Sequence, residues 1–119
     1  MIKTKKKLEN VTISGSFNQG TPVGLVFAGL YVNEQKIVSN KYELAWILDS
    51  SVWGKGFATE AGQAVIQLAK DCGVVRVYAV TYPENEKSMA VCQRLGMTKV
   101  GLTQDWYDEM TMEYFLDLD

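Results

Sequence analysis

The chain predicts a single mixed α/β domain over residues 1–119, with strands before, between and after two helices. Three observations carry that expectation. The first half alternates apolar and polar residues in short runs broken by Gly, Pro and Asn, as strands joined by turns do. Residues 58–72 place apolar side chains at spacings of three and four, the period of a helix with one buried face. The run that follows, 74–82, is apolar and β-branched almost throughout, which suits a central strand covered on both faces.

Each element follows in order. Val11, Ile13 and Phe17 alternate with polar or small residues, so 11–17 reads as a strand. Asn18-Gln19-Gly20-Thr21-Pro22 signals a turn, and 23–32 returns as the second arm of a hairpin. Gly24 and Gly29 within that arm indicate a bulge or a close approach. After a polar connection, 33–40, residues 41–48 form a third strand. Leu44, Trp46 and Leu48 share one face; Glu43, Ala45 and Ile47 share the other. A polar, glycine-bearing loop, 49–56, leads into the helix 58–72, with Gly73 placed to close it. Strand 74–82 ends at Tyr82-Pro83-Glu84-Asn85. A short helix, 86–95, stops at Gly96, and strands 98–103 and 110–118 flank a segment rich in acidic residues. The strand-helix-strand unit implies a right-handed crossover and a locally parallel pair.

Composition removes several function classes. Hydrophobic residues at 47% and charged residues at 22% are ordinary for a folded soluble domain, which argues against disorder. A net charge of −2, from 12 basic and 14 acidic residues, gives no footprint for nucleic acid. The basic cluster Lys3, Lys5, Lys6 and Lys7 reads as a solvated leader, so residues 1–10 are expected to be flexible. There is no histidine, which excludes Ser-His-Asp and Cys-His catalysis and His-ligated zinc. No metal is expected. Cys72 and Cys92 lack metal or redox spacing and suit a reducing compartment. With no apolar signal segment and no run long enough to span a bilayer, a cytoplasmic protein with no membrane partner is expected.

The most informative segment is Trp53-Gly54-Lys55-Gly56-Phe57-Ala58-Thr59, where a strand ends and a helix begins. Glycines let a ligand approach the backbone, and the first helical turn carries N–H groups without intrahelical partners and a partial positive charge. Such a turn can hold a pyrophosphate. It can equally be a glycine turn that only redirects the chain. It is not a Walker loop, because Gly56 stands where Ser or Thr is required after Gly54-Lys55. Nor is it a dinucleotide fingerprint, because Thr59 occupies the position of its small third residue.

The stretch Glu43-Leu44-Ala45-Trp46-Ile47-Leu48 followed by Val52-Trp53-Gly54-Lys55-Gly56-Phe57-Ala58-Thr59-Glu60-Ala61 resembles the acetyl-CoA signature of the GNAT N-acetyltransferase superfamily. Pro83-Glu84-Asn85-Glu86-Lys87-Ser88, then Leu95-Gly96-Met97, resembles its second signature. The resemblance is strongest to the ribosomal-protein alanine and serine N-acetyltransferases and runs from 11 to 118. It implies a GNAT-like (acyl-CoA N-acyltransferase) fold and transfer of acetyl from acetyl-CoA to an amine acceptor. It further implies that amides of 53–59 hold the CoA pyrophosphate. The strand ending at Ile47-Leu48 would splay from strand 74–82 to admit the pantetheine arm. Asn85 and Ser88 would contact the cofactor from the other side. Without the family, Asn85 is a helix-start residue, Ser88 a cap, and Trp46 a core residue.

Acetyl transfer needs a base for the amine, a donor to the thioester oxygen and an acid for the leaving thiolate. The resemblance implies that an N–H near Ile47 or Leu48, where the third strand bulges, supplies the donor. Glu43 corresponds to a glutamate of that branch and is the candidate base; a register slip would put Tyr42 in its place. The position of the family's proton-donating tyrosine falls on Cys92, which also reads as a small buried hydrophobe. Relatives open with a strand and two helices before the hairpin, and those helices build much of the acceptor pocket. Here only 1–10 precede it, so the fold is expected to be truncated at its N-terminus. An apolar face left exposed by those helices would favour a homodimer. The alternative function is a non-catalytic acetyl-CoA-binding or assembly module. Asp105, Asp108 and Glu109 read either as an attractor for a cationic acceptor or as a solvated loop.

Overall fold

The computed structural model describes residues 2–4, 10–17, 21–32, 35, 38–48 and 56–118. They form β1 (Ile2–Thr4), β2 (Asn10–Phe17), β3 (Thr21–Val32), β4 (Val38–Leu48), α1 (Phe57–Asp71), β5 (Arg76–Thr81), α2 (Glu86–Arg94), β6 (Thr98–Thr103) and β7 (Thr111–Asp117). One seven-stranded sheet runs in the order β1-β2-β3-β4-β5-β7-β6. Every neighbouring pair is antiparallel except β4 with β5, which α1 connects as a parallel crossover.

Two departures from the sequence reading have local causes, and one expectation is met. Residues 2–4, assigned to the leader, add a strand, with Ile2 opposite Ile13 and Thr4 opposite Val11. β4 begins at Val38 rather than 41, because Val38 pairs with Val32; polar Ser39 and Asn40 lie in the irregularity before Tyr42 pairs with Leu30. The bulge expected beside Gly24 is present: Gly15 faces Gly24 while Ser16 faces Pro22, leaving Val23 as the extra residue.

Both helices lie on one face of the sheet. α1 buries Ala58, Gly62, Val65 and Ala69, a stripe at helical spacing, and α2 buries Val91 and Cys92. They meet Val26, Ala28, Leu44, Val77 and Ala79 in the core. Removing a Leu44, Val65 or Val77 side chain from water contributes about 1.5–3 kcal/mol each. The two helices end alike. Gly73 and Gly96 take φ of 90° and 80°, and the amides of Val74 and Met97 return to the carbonyls of Ala69 and Cys92, both at 3.0 Å.

The opposite face carries Glu43, Tyr78 and Phe115 in one row of partners. The segment 104–110 folds over it. Trp106 is buried there, with its ring 4.8 Å from Tyr31 and 5.9 Å from Tyr78. Its indole N–H donates to Glu113 Oε1 at 2.8 Å. Among the described residues, no helix is long and apolar enough to cross a membrane.

Candidate functional site

The parallel ladder between β4 and β5 is short. It pairs Tyr42 with Val77 and Glu43 with Tyr78, and then the strands part. β4 keeps its register with β3 out to Leu48, opposite Gly24. The bulge expected at Ile47–Leu48 is therefore absent; the β3–β4 irregularity lies instead between Leu30 and Val32. Backbone groups of β4 beyond Glu43 become available because β5 leaves, not because β4 kinks. Alternate N–H groups there point away from β3, towards the gap.

The gap is a slot of about 230 Å³ that passes through the sheet. On the helix side it is bounded by Trp46, Asn85 and Ser88; on the other side stand Tyr82, Tyr107 and Glu109. The helix-side mouth opens into a cleft of about 760 Å³ between the start of α1 and the outer face of α2, and Trp46, Asn85 and Ser88 line both spaces.

The wide cleft is built largely from backbone and caps. Gly56 is the N-cap of α1 with φ 80°, and among the described residues no side chain caps the first turn. Phe57, Ala58 and Thr59 line the cleft from that turn. Thr59 Oγ1 is buried and has no hydrogen-bond partner, a deficit that an anionic oxygen at this helix start would remove. Trp53, Gly54 and Lys55, expected in the same loop, lie outside the described residues. Across the cleft, Asn85 Oδ1 accepts the Ser88 N–H at 3.1 Å and so caps α2. Trp46, half-buried rather than core, donates its indole N–H to Ser88 Oγ at 3.3 Å and ties β4 to α2.

The slot's far side is built from side chains. Glu43 is 8% exposed and accepts a very short hydrogen bond from the Tyr107 hydroxyl. Burial raises the Glu43 carboxyl above its ordinary value, and the bond from Tyr107 partly opposes this. Burial and the carboxylate together push the Tyr107 phenol up. Tyr107 is held by an unusual turn: Tyr107 and Asp108 have φ of 55° and 53°, and the Tyr107 N–H donates to Tyr31 Oη at 3.0 Å. A second tyrosine–glutamate bond, Tyr82 Oη to Glu109 Oε2 at 2.6 Å, joins the end of β5 to the same segment.

The sequence reading placed Glu43, Ala58, Thr59, Asn85 and Ser88 around one region. Ala58, Thr59, Asn85 and Ser88 line the two connected spaces, and Glu43 lies behind the slot, bonded to Tyr107, which lines it. Ile47 is on the β4 segment beyond the ladder, with its side chain 67% exposed. Leu48 follows it in register. Cys92 must be reassigned. It is 0% exposed in the core, lines neither space, and burial pushes its thiol up to about 12. Counting along the helix brought it one turn past Ser88, but that turn of α2 leans inward with Val91 and Leu95. Tyr107 and Trp106 were missed. Nothing in Asp105-Trp106-Tyr107-Asp108-Glu109 signals a left-handed turn, and their partners lie far away in sequence.

The acetyltransferase (GNAT) domain family model matches residues 4–98. The uncharacterised N-acetyltransferase YnaD of Bacillus subtilis is 32% identical over 76 residues, which cover 57% of this chain and 45% of that protein. The chain thus spans less than half the length of this curated relative. The ribosomal-protein-S5-alanine acetyltransferase of Vibrio fischeri superposes with a TM-score of 0.76 at 22% identity, over 96% of this chain and 64% of that one. Aminoglycoside acetyltransferase AAC(6')-Ib, in complex with coenzyme A, does so with a TM-score of 0.72 at 16% identity, over 92% and 66%. These two show a shared fold. The parted β4–β5 pair, the glycine-capped helix beyond it and the match over 4–98 agree: the chain belongs to the GNAT acetyltransferase family.

Proposed function

We propose that this domain binds acetyl-CoA from the helix side of the sheet and transfers its acetyl group to an amine arriving from the other side. The observation that carries this reading is the slot itself. It joins a cleft with a helix start at its rim to Tyr107 on the opposite face, whose hydroxyl is bonded to the buried Glu43 carboxylate. The residues fit an anionic, extended co-substrate. The α1 start at Gly56 to Thr59 would take the pyrophosphate, with Trp53, Gly54 and Lys55 assigned to the same loop, and the orphaned Thr59 hydroxyl would gain a partner. β4 from Ala45 to Leu48 offers its free edge to the amide-bearing arm, as an exposed strand pairs with a peptide. Asn85 and Ser88 stand on the opposite wall.

Glu43 is the base. Its raised pKa brings it nearer to neutrality, where a carboxylate accepts a proton from an amine more effectively. An N–H of β4 beyond Glu43 steadies the thioester oxygen as it becomes negative. Holding both partners in one slot removes part of the entropic barrier. Glu43, Glu109 and three aromatic rings on the acceptor side favour a cationic or peptide amine. The free thiols Cys72 and Cys92 support a cytoplasmic setting. Exposed Ile47, Val100 and Leu102 support self-association, which sedimentation across a concentration series tests; a monomer throughout would remove it.

Calorimetry with acetyl-CoA, followed by thiol release with alanine- and serine-starting peptides, a polyamine and an aminoglycoside, tests the assignment. Binding with turnover supports an enzyme. Binding without turnover would leave a non-catalytic module, and no binding would end both readings.

A further inference from the structure

We infer that Tyr107 is the proton donor to the departing thiolate and that it is reset through Glu43. The inference rests on the acetyl-transfer reading above. Three observations lead to it. Tyr107 lines the slot, and its hydroxyl is bonded to the buried carboxylate assigned as base. Its turn is conformationally costly. Two consecutive non-glycine residues hold φ above 50° there, although glycine would relieve that strain. Finally, the Tyr107 ring, 42% exposed, is braced on its inner side by part-buried Tyr31 beside buried Trp106. Tyr31 meets Tyr107 edge-on at 5.0 Å, and Trp106 is locked beneath by Glu113. A solvated loop needs neither the brace nor the strain. The position left vacant by Cys92 is thus supplied from the β6–β7 segment, across the sheet from α2.

The proton count closes without another reactant. The amine nitrogen forms a bond to the thioester carbon and gives one proton to the Glu43 carboxylate. The carbon–sulfur bond breaks with its electron pair on sulfur. Tyr107 gives its hydroxyl proton to that sulfur and takes the Glu43 proton through the bond they share. Burial is the main reason the phenol pKa is raised, and the Glu43 charge adds to it; once Glu43 is neutral that added push is gone, so the tyrosine becomes a better donor than it was before the amine lost its proton. Both residues end as they began.

The test uses the full chain, acetyl-CoA, and whichever probe the wild type turns over from the panel above. Tyr107→Phe should lower kcat by about 10- to 100-fold, at the low end for a proton donor because a thiolate leaves readily. Acetyl-CoA affinity by calorimetry should be unchanged. The acidic limb of kcat/KM should move to higher pH, because the bond that favours the Glu43 carboxylate is lost. Tyr107→Phe combined with Glu43→Gln should lose little more than Glu43→Gln alone, since the pair acts as a unit. Fluorotyrosine at 107, a near-isosteric variant with a lower phenol pKa, should retain turnover and move the basic limb to lower pH. Full activity with unshifted limbs in Tyr107→Phe would overturn the role of Tyr107 alone. An equal loss of acetyl-CoA affinity would make the residue structural. A wild type that fails to bind acetyl-CoA would instead overturn the underlying reading.

Discussion

The wide cleft and the through-sheet slot meet at Trp46, Asn85 and Ser88, yet they are made by different means. The cleft uses what a helix start and two caps provide: backbone N–H groups, a glycine at φ 80° and an asparagine cap. Its parts are close in sequence. The slot uses side chains drawn together from β4, β5 and the β6–β7 segment, held by two tyrosine–glutamate bonds and a buried tryptophan. The cleft can change its loop composition and still offer amides. The slot depends on particular atoms. Binding should therefore tolerate side-chain changes better than chemistry does.

The sharpest test of that contrast is Glu43→Gln. Turnover should fall by about 10²- to 10⁴-fold while acetyl-CoA affinity stays put. Stability should move the other way. The folded carboxyl has the raised pKa, so the native state keeps its proton longer than the unfolded chain does. Its contribution is full below the unfolded value and is lost as pH rises through the folded one. Glu43→Gln should thus melt no lower than wild type at neutral pH, with a flatter profile by calorimetric scans from acid to neutral. A clear loss of stability at pH 7 would contradict the buried charge.

Next in size is Trp106→Ala, which empties a buried site and strips Glu113 of its donor. It should cost about 3–5 kcal/mol in urea unfolding. Turnover should fall in the folded fraction as Tyr107 loses its support. Gly56→Val probes the cleft. Among the described residues an added Cβ meets no atom within 4 Å beyond its chain neighbours, so the expected cost is the strain of φ 80°, about 1–3 kcal/mol. Any acetyl-CoA affinity lost beyond that belongs to the space the side chain enters; unchanged affinity by calorimetry would remove the loop from the site. Asn85→Ala should cost about 1 kcal/mol, near 5 °C in a thermal melt, with turnover reduced less than by Glu43→Gln. The smallest effect is at the far rim. Arg76→Gln breaks the exposed pair with Asp117, at 2.5 Å, and should shift the melting temperature by no more than ~2 °C, less still in high salt.

The same contrast explains what the sequence disclosed. Both helices could be located because each ends on a glycine in a left-handed position and buries a regular stripe. The parallel unit followed from its order, and the cleft from residues adjacent in the chain. Glu43 was reached through its place on the cofactor strand and the glutamate that the resembled branch carries there. Tyr107 was not, since its partner is 64 residues away and its turn lacks the glycine that would mark it. Cys92 was misplaced for a related reason. Counting residues along a short helix fixes an angle about its axis but not how that axis tilts into the core. The strand at 2–4 was hidden by Lys3 and the lysines that follow it in the sequence, because an edge strand is tolerant of charge.

The two-pair ladder between β4 and β5 has a mechanical consequence. Among the described residues few main-chain bonds stitch the β1–β4 half of the sheet to the β5–β7 half, so this seam is the shortest ladder of the sheet. A ligand lodged along it acts as mortar: it links only the joined form and favours that form by mass action. Amide exchange should then slow on both sides of the seam when the ligand is added, including at the far end of β7 around Leu116, which lines neither space.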